Sequence, residues 1–297
     1  MKRIPYALVD VFAPAPGAGN RVAVVLDARG MSPEEMRAVA QSLGAAEAAF
    51  LLERTGAALS VRFFAPGGEV EFSGHAAVAV GLTAARTGLV PEGTTRLYLH
   101  TPTEVLPVEL VLEAGEPRKA WVRGPAPRFR DLPPYRALRE VLEALGSDER
   151  YLHRGLPYGV AFTGLWSLFV PLIAPGVVDA LEPEMERLKA LCFRLDVATI
   201  HAYAPMGPRS FYARDFAPLL GIPEDPVTGS ANAALGALLA RAGVVPRREG
   251  KVLLTVYQGH HLGNPGVVKV QVEYSPTGEP YSVQIGGEAV IVQTGEV

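Results

Sequence analysis

A chain of 297 residues is long enough for one large domain or two of ordinary size, and 48% hydrophobic with 20% charged residues is globular composition. A formal net charge of −3 speaks against nucleic acid or an anionic membrane surface as the main partner. The one cysteine, Cys192, excludes an intrachain disulfide and a cysteine metal cluster.

The first residues lead directly into a strand-like segment, with no signal-peptide layout and no run of about 18 apolar residues, so the cytoplasm is the expected location. Residues 6–12 predict a strand, followed by the loop Ala13-Pro14-Ala15-Pro16-Gly17-Ala18-Gly19-Asn20 and a second strand over 22–26. That loop lacks the third glycine of a phosphate-binding motif and precedes a strand rather than a helix. Ser32-Pro33-Glu34-Glu35 opens a helix to about residue 42, with Pro in the first turn and acids at the positive end of the dipole. A turn then enters a strand ending near 52. Glu47 is the only charge in this stretch of small and apolar residues. It reads either as an edge carboxylate facing water or as a partly desolvated acid suited to proton transfer.

Strands follow at 59–64 and 70–72, a helix at 74–87, and strands at 95–100, 105–112 and 120–123. The proline-rich stretch 124–134 is the best linker in the chain. It suggests domains at 1–124 and 125–282, with the last strand, about 283–297, free to return to the first. Beyond it come a helix at 134–145, strands at 158–162 and 166–172, a helix at 183–192, strands at 201–205 and 211–214, and closing strands at 251–258, 266–274 and 281–292. Cys192 reads as a small core residue of its helix, and His260-His261 as surface residues, since neighbours on a strand point to opposite faces.

One stretch recurs. Gly74-His75-Ala76-Ala77-Val78-Ala79-Val80-Gly81 lies over Gly229-Ser230-Ala231-Asn232-Ala233-Ala234-Leu235-Gly236, and Glu69 falls on Glu224. Upstream, Arg62-x-Phe64-Ala65-Pro66 lies over Arg214-x-Phe216-Ala217-Pro218, with three residues inserted before the second glycine. Two copies of strand, turn and helix imply a duplicated scaffold. Both helix starts present unpaired N–H groups and a positive dipole end, suited to a substrate carboxylate, with Thr228 or Ser230 available to cap the second. Laying Pro33 over Pro183 puts Glu47 on Val197, and Asp225 falls on Val70. Each half thus carries one carboxylate that the other lacks, which points to an asymmetric cleft between two domains.

These residues resemble the PhzF-like (phenazine biosynthesis) family. The matching elements are Asp10-Val11-Phe12 with Gly19-Asn20; Glu47-Ala48-Ala49-Phe50; the two Arg-x-Phe-Ala-Pro segments; Glu69-x-x-Phe72-Ser73-Gly74-His75-Ala76; and Glu224-Asp225-Pro226-Val227-Thr228-Gly229-Ser230-Ala231. The resemblance implies an α+β fold of the diaminopimelate-epimerase type. Two similar domains, each a mostly antiparallel sheet around a central helix, would flank the active-site cleft. It further implies a homodimer, no cofactor and no metal. Glu47 matches the family's general acid/base, and His75 and Asp225 the groups that hold or help protonate substrate. Asn20, Ser73, Gly74, Thr228, Gly229 and Ser230 fall at substrate-contacting places. True epimerases of this fold carry a cysteine before each glycine. Ser73 and Thr228 stand there instead, and a hydroxyl is far too weak an acid to replace a thiol base, so two-thiol racemisation is excluded. The expectation is a cofactor-independent isomerase of a small carboxylate-bearing, dihydro-hydroxyanthranilate-like substrate. The alternative is a non-catalytic small-molecule-binding or regulatory protein on the same scaffold.

Overall fold

The computed structural model describes residues 3–65 and 68–297; Pro66 of the first Arg-x-Phe-Ala-Pro segment lies outside the described residues. The chain divides into two compact units, Met1–Arg123 with Gly286–Val297, and Gly124–Ile285.

In the first unit β1 (Pro5–Val11) is antiparallel to β2 (Asn20–Val25) and to the later part of β17 (Pro280–Glu296). Helix α1 (Pro33–Leu43) crosses over from β2 to a parallel neighbour, β3 (Glu47–Thr55). Its start follows from the sequence: Ser32 Oγ accepts from the Glu35 N–H, the Glu35 carboxylate accepts from the Ser32 N–H, and Pro33 occupies the first turn. β3 is antiparallel to β4 (Ala58–Ala65), which pairs with the short β5 (Gly68–Val70). Helix α2 (Gly74–Arg86) then crosses over to β6 (Arg96–His100), parallel to β4. β6, β7 (Val105–Glu113) and β8 (Glu116–Arg123) form an antiparallel meander, and β8 returns to β17. The ring of strands therefore closes around α2.

A helix enclosed by strands must be apolar on every side and thin. The run Gly-His-Ala-Ala-Val-Ala-Val-Gly meets both demands, and ten of the thirteen residues of α2 are buried. Gly81 marks the tightest approach: a Cβ there would lie 2.7 Å from Val108 Cγ1. The facing strand supplies Leu106, Val108 and Leu110 at alternate positions.

The second unit repeats this order. β9 (Arg128–Arg130), β10 (Gly159–Phe162) and β11 (Trp166–Pro171) are successive antiparallel neighbours. Helix α3 (Tyr135–Ala144) lies between β9 and β10. Helices α4 (Pro175–Asp179) and α5 (Met185–Leu195) lead from β11 to its parallel neighbour β12 (Thr199–Gly207). β12 is antiparallel to β13 (Ser210–Ala217), which pairs with β14 (Ile222–Asp225). Helix α6 (Gly229–Arg241) crosses to β15 (Lys251–Gln258), parallel to β13, and β15 is antiparallel to β16 (Gly266–Tyr274). α6 buries eleven of its thirteen residues, and a Cβ on Gly236 would lie 2.5 Å from Val270 Cγ1, the same close approach as Gly81 on Val108.

Three differences from the sequence reading have plain causes. The proline-rich 124–134 stretch contains β9, because Arg128, Phe129 and Arg130 find an open edge on β10. Glu224 and Asp225 end a short strand rather than lying in a turn, since β13 offers them a partner. The third concerns the register of the two halves. β3 opposes Phe50 to Arg62, and β12 opposes Ala202 to Arg214, so the place of Glu47 in the second unit is Thr199, not Val197. Thr199 is buried, and its hydroxyl donates to Ser167 Oγ at 2.8 Å. Glu47 and Asp225 still lack a carboxylate counterpart, but the second unit holds two such acids, because Asp225 opposes Asp215 where Val70 opposes Phe63.

Candidate functional site

In the first unit Glu47 is the first residue of β3, in register with Val22 of the parallel β2. Asn20, two residues before Val22, therefore shares a sheet face with Glu47. Asn20 is 2% exposed, and its place is fixed by Gly19, whose φ of +66° and 2.1 Å Cβ-to-Val11 carbonyl oxygen distance admit no side chain. The side chains of Glu47 and His75 are largely withdrawn from water, at 20% and 12% exposure. Glu47 Oε2 and His75 Nε2 lie 3.7 Å apart, beyond hydrogen-bond distance, and neither buried atom has a hydrogen-bond partner among the described residues.

The start of α2 explains how His75 is aimed. Ser73 is the N-cap and accepts from the Ala76 N–H at 3.2 Å, so its own proton is free for His75 Nδ1 at 3.4 Å. In that arrangement the remaining imidazole proton sits on Nε2 and faces the Glu47 carboxylate. Gly74 and His75 occupy the first turn, where N–H groups have no acceptor within the helix. A carboxylate base, an imidazole donor and a helix N-terminus thus converge within one unit.

The second unit places Asp225 at the end of β14 and Thr228, Gly229 and Ser230 at the start of α6. Here the capping expectation fails. Thr228 is the N-cap residue, but its side chain makes no cap bond. Its hydroxyl instead lies 2.7 Å from Asp225 Oδ2 and 3.1 Å from Asp215 Oδ2. Ser230 is half-buried in the first turn, and its carbonyl oxygen accepts from Thr163 Oγ1. The dipole end of α6 is therefore left to whatever lies beyond it.

The residue before Asp225 is held by an ion pair that occurs in both units. Arg214 Nε and Nη2 each donate to the Glu224 carboxylate at 2.8 Å, and Arg214 Nη1 donates to the carbonyl oxygens of Val178, Asp179 and Leu181. The first unit has the same fork between Arg62 and Glu69, at 2.6 and 2.5 Å. The buried copy fixes the residue next to Asp225.

Sequence reasoning missed four residues. His201, Asp215, Asn232 and Gln258 are each 0% exposed and surround Thr228. His201 Nδ1 lies 2.9 Å from Asp215 Oδ1 across the β12–β13 pair. Gln258 accepts from the Thr228 N–H and from Asn232 Nδ2, and donates to the Asp225 carbonyl oxygen and to Thr228 Oγ1. It follows Val252, Leu254 and Val256 on the buried face of β15, and Gly259 after it, at φ +87°, lets the Pro226 and Asn264 carbonyls close in. The available signal was the repeat itself: the residue between Arg and Phe is Phe63 in one copy and Asp215 in the other, a charge where the scaffold has a core position. Cys192 is buried in α5, and His260 and His261 are exposed. Among the described residues no group of three or more His, Cys, Asp or Glu is placed to hold a metal ion, and no helix is long and apolar enough to cross a membrane.

The family model for phenazine biosynthesis-like proteins (PhzC-PhzF) matches residues 9–295. A Deinococcus radiodurans protein described as an uncharacterized isomerase is 45% identical over 292 residues, covering 98% of this chain and 93% of its own. The trans-2,3-dihydro-3-hydroxyanthranilate isomerase of Pseudomonas fluorescens is 31% identical, with 98% of each chain covered. The crystal structure of a Bacillus anthracis phenazine biosynthesis protein of the PhzF family superposes with a TM-score of 0.90 at 30% identity, covering 100% of this chain and 99% of that one. Fold and relatives together make this protein an isomerase built on a duplicated α+β scaffold. The chain belongs to the phenazine biosynthesis-like protein family.

Proposed function

We propose that the protein isomerises a small carboxylate-bearing substrate of the dihydro-hydroxyanthranilate type without a cofactor, by moving a proton through Glu47. The observation that carries this reading is the pair formed by Glu47 Oε2 and His75 Nε2, two buried polar atoms that face each other at 3.7 Å with no protein partner. Orphaned polar atoms are costly, and a structure retains them where a ligand's polar atoms satisfy them. The relative named for a dihydro-hydroxyanthranilate supports the substrate class.

In this mechanism the Glu47 carboxylate takes a proton from a ring carbon. The electron pair of that C–H bond shifts into the conjugated system, and the Glu47 carboxyl returns the proton at another carbon. Atoms and charge balance within the substrate and one side chain. His75, donating from Nε2, steadies the charge that develops on a substrate heteroatom, and the first-turn N–H groups of α2 suit a carboxylate. Asp225, the residue after the forked Glu224, is the candidate acidic group of the second unit. A positioned acid/base contributes about 10²–10⁴-fold, and orientation and electrostatics supply the remainder.

The test is incubation with trans-2,3-dihydro-3-hydroxyanthranilate followed by proton NMR. Conversion to an isomer supports the reading. Binding with no change in the ring signals would assign the scaffold to a non-catalytic binder.

A further inference from the structure

The duplication supplies an internal reference for what the scaffold needs. Arg62 and Arg214 are equivalent, so the cross-strand pair of Ala49 and Phe63 stands where His201 and Asp215 face each other in the second unit. On α2, Ala77 stands where α6 carries Asn232. Ser60 is in register with His100 and Tyr212 with Tyr257, so the next residue along is Thr101 on one side and Gln258 on the other. Thr101 keeps its bonds within its own turn: its N–H and its hydroxyl both donate to the Glu104 carbonyl oxygen, at 2.9 and 3.0 Å. Ala49, Phe63 and Ala77 are buried and apolar. The same strands and helix therefore form without the four buried polar side chains, each of which loses its hydration on folding. What those side chains do in the second unit is additional to the scaffold.

Gln258 is the member that meets the backbone. Its amide orientation is fixed by two main-chain groups, because the Asp225 carbonyl oxygen can only accept and the Thr228 N–H can only donate. Oε1 accepts from the Thr228 N–H at 3.1 Å and from Asn232 Nδ2 at 2.7 Å. Nε2 donates to the Asp225 carbonyl oxygen at 2.9 Å and to Thr228 Oγ1 at 3.1 Å. One side-chain amide thus closes both ends of Asp225-Pro226-Val227-Thr228, with both protons and both acceptor sites engaged. Thr228 Oγ1 also lies within reach of Asp215 and Asp225, and it makes no cap bond to α6. Its counterpart Ser73 does cap α2, through the Ala76 N–H. We infer that Gln258 is a positioning residue: it clamps the turn that carries Asp225 onto the start of α6 and holds Thr228 away from the helix amides.

The clamp is seated on rigid structure. Gln258 ends β15, whose Val252, Leu254 and Val256 are buried on the same face. At Gly259 a Cβ would lie 2.2 Å from the Asn264 carbonyl oxygen and 2.7 Å from that of Pro226, so the strand end is pressed directly against the turn. On the far side of Thr228, Asp215 is steadied by His201 Nδ1 at 2.9 Å, and His201 packs edge-on to Phe169. Thr228 is therefore bracketed by β13 and β15, the two strands that α6 connects. The consequence for turnover rests on the function proposed above: Asp225 acts from the place the turn gives it, and a misplacement of about 1 Å costs on the order of 10²-fold. The clamp itself does not depend on that reading.

The experiment first reads the clamp in substrate-free, full-length protein, by hydrogen exchange of ¹⁵N-labelled backbone amides followed by NMR. The wild-type Thr228 amide is expected to exchange about 10²-fold or more below the unstructured rate. Gln258→Met, similar in size and without amide hydrogen bonds, should raise its exchange about tenfold or more. Gly236→Ala strains the same helix away from the turn and should leave Thr228 protected. Should Gln258→Met fail to fold, Gln258→Asn, one methylene too short to span both backbone ends, takes its place. An unprotected Thr228 in the wild type, or equal Thr228 exchange in the Gln258 and Gly236 variants, would overturn the inference. The second readout is kcat on trans-2,3-dihydro-3-hydroxyanthranilate at folded fractions matched by circular dichroism. A fall on the order of 10²-fold for the Gln258 variant relative to Gly236→Ala is expected, and equal values would overturn the positioning role. Absence of turnover in the wild type would count against the proposed function alone, and the exchange rates would still decide the clamp.

Discussion

The duplicated ion pair allows one chain to serve as its own control. Glu224→Gln and Glu69→Gln make the same chemical change at equivalent places, each removing the charge that faces a forked guanidinium. The surroundings differ. Arg214 and Glu224 side chains are 3% and 9% exposed, whereas Arg62 and Glu69 are 22% and 33% exposed. Removing one partner of a buried pair leaves an uncompensated charge in a medium that solvates it poorly, at a cost of about 3–5 kcal/mol. For a pair that water can reach, the cost falls to about 0–1 kcal/mol. Arg214 keeps its three carbonyl acceptors in the variant, which places the expected loss at the lower end, about 3 kcal/mol. The predicted gap between the two variants is then at least about 2 kcal/mol, more than a factor of ten in the folding equilibrium. Urea unfolding followed by circular dichroism measures it from the midpoints and slopes. Equal losses in the two variants, or a smaller loss for Glu224→Gln, would refute the claim that burial sets the strength of these pairs.

Further expectations concern packing and alkaline pH. Gly236→Ala should destabilise even though alanine is the better helix former by up to about 1 kcal/mol, because a Cβ lies 2.5 Å from Val270 Cγ1 and overpacking costs about 1–3 kcal/mol. Adding Val270→Ala should recover part of the loss, and a Gly236→Ala variant more stable than wild type would contradict the packing. Burial raises the Cys192 thiol from 9.0 to about 12 and the Tyr158 phenol from 10.0 to about 12. The unfolded chain thus releases these protons at lower pH than the folded one. Stability that is full below pH 9 must fall as pH rises towards 12, and a urea midpoint that stays flat over that window would show that these groups are not buried as described. For the same reason Cys192 should resist thiol reagents at neutral pH until the protein is unfolded.

Much of this architecture is written in short-range patterns. The capping box at Ser32 and Glu35, the two small-residue helices and the alternating strands of the meander all follow from periods and caps that a linear reading captures. Glu47 stood out because a lone charge in an apolar run is conspicuous. The His201–Asp215–Gln258 chain did not, because each member sits singly within a strand and acquires its partners only through cross-strand register. The register also corrected the counterpart of Glu47: the alignment by Pro33 and Pro183 slips by two residues, and only the opposition of Phe50 to Arg62 and Ala202 to Arg214 shows it. β9 and β14 are too short to have a period and exist because a neighbouring edge receives them. Thr228 looked like a cap because threonine before a helix usually is one. Two carboxylates within its reach outcompeted the helix amides for its hydroxyl.

The central claim is that Glu47 carries the proton. The most direct measurement is turnover of the proposed substrate in D₂O by the wild type and by Glu47→Gln, with proton NMR following both isomerisation and deuterium at ring carbon. Isomerisation by the wild type, reduced by about 10²–10⁴-fold in a variant that remains folded, is the predicted result. Undiminished isomerisation by Glu47→Gln would contradict the account and move the acid/base role to another group.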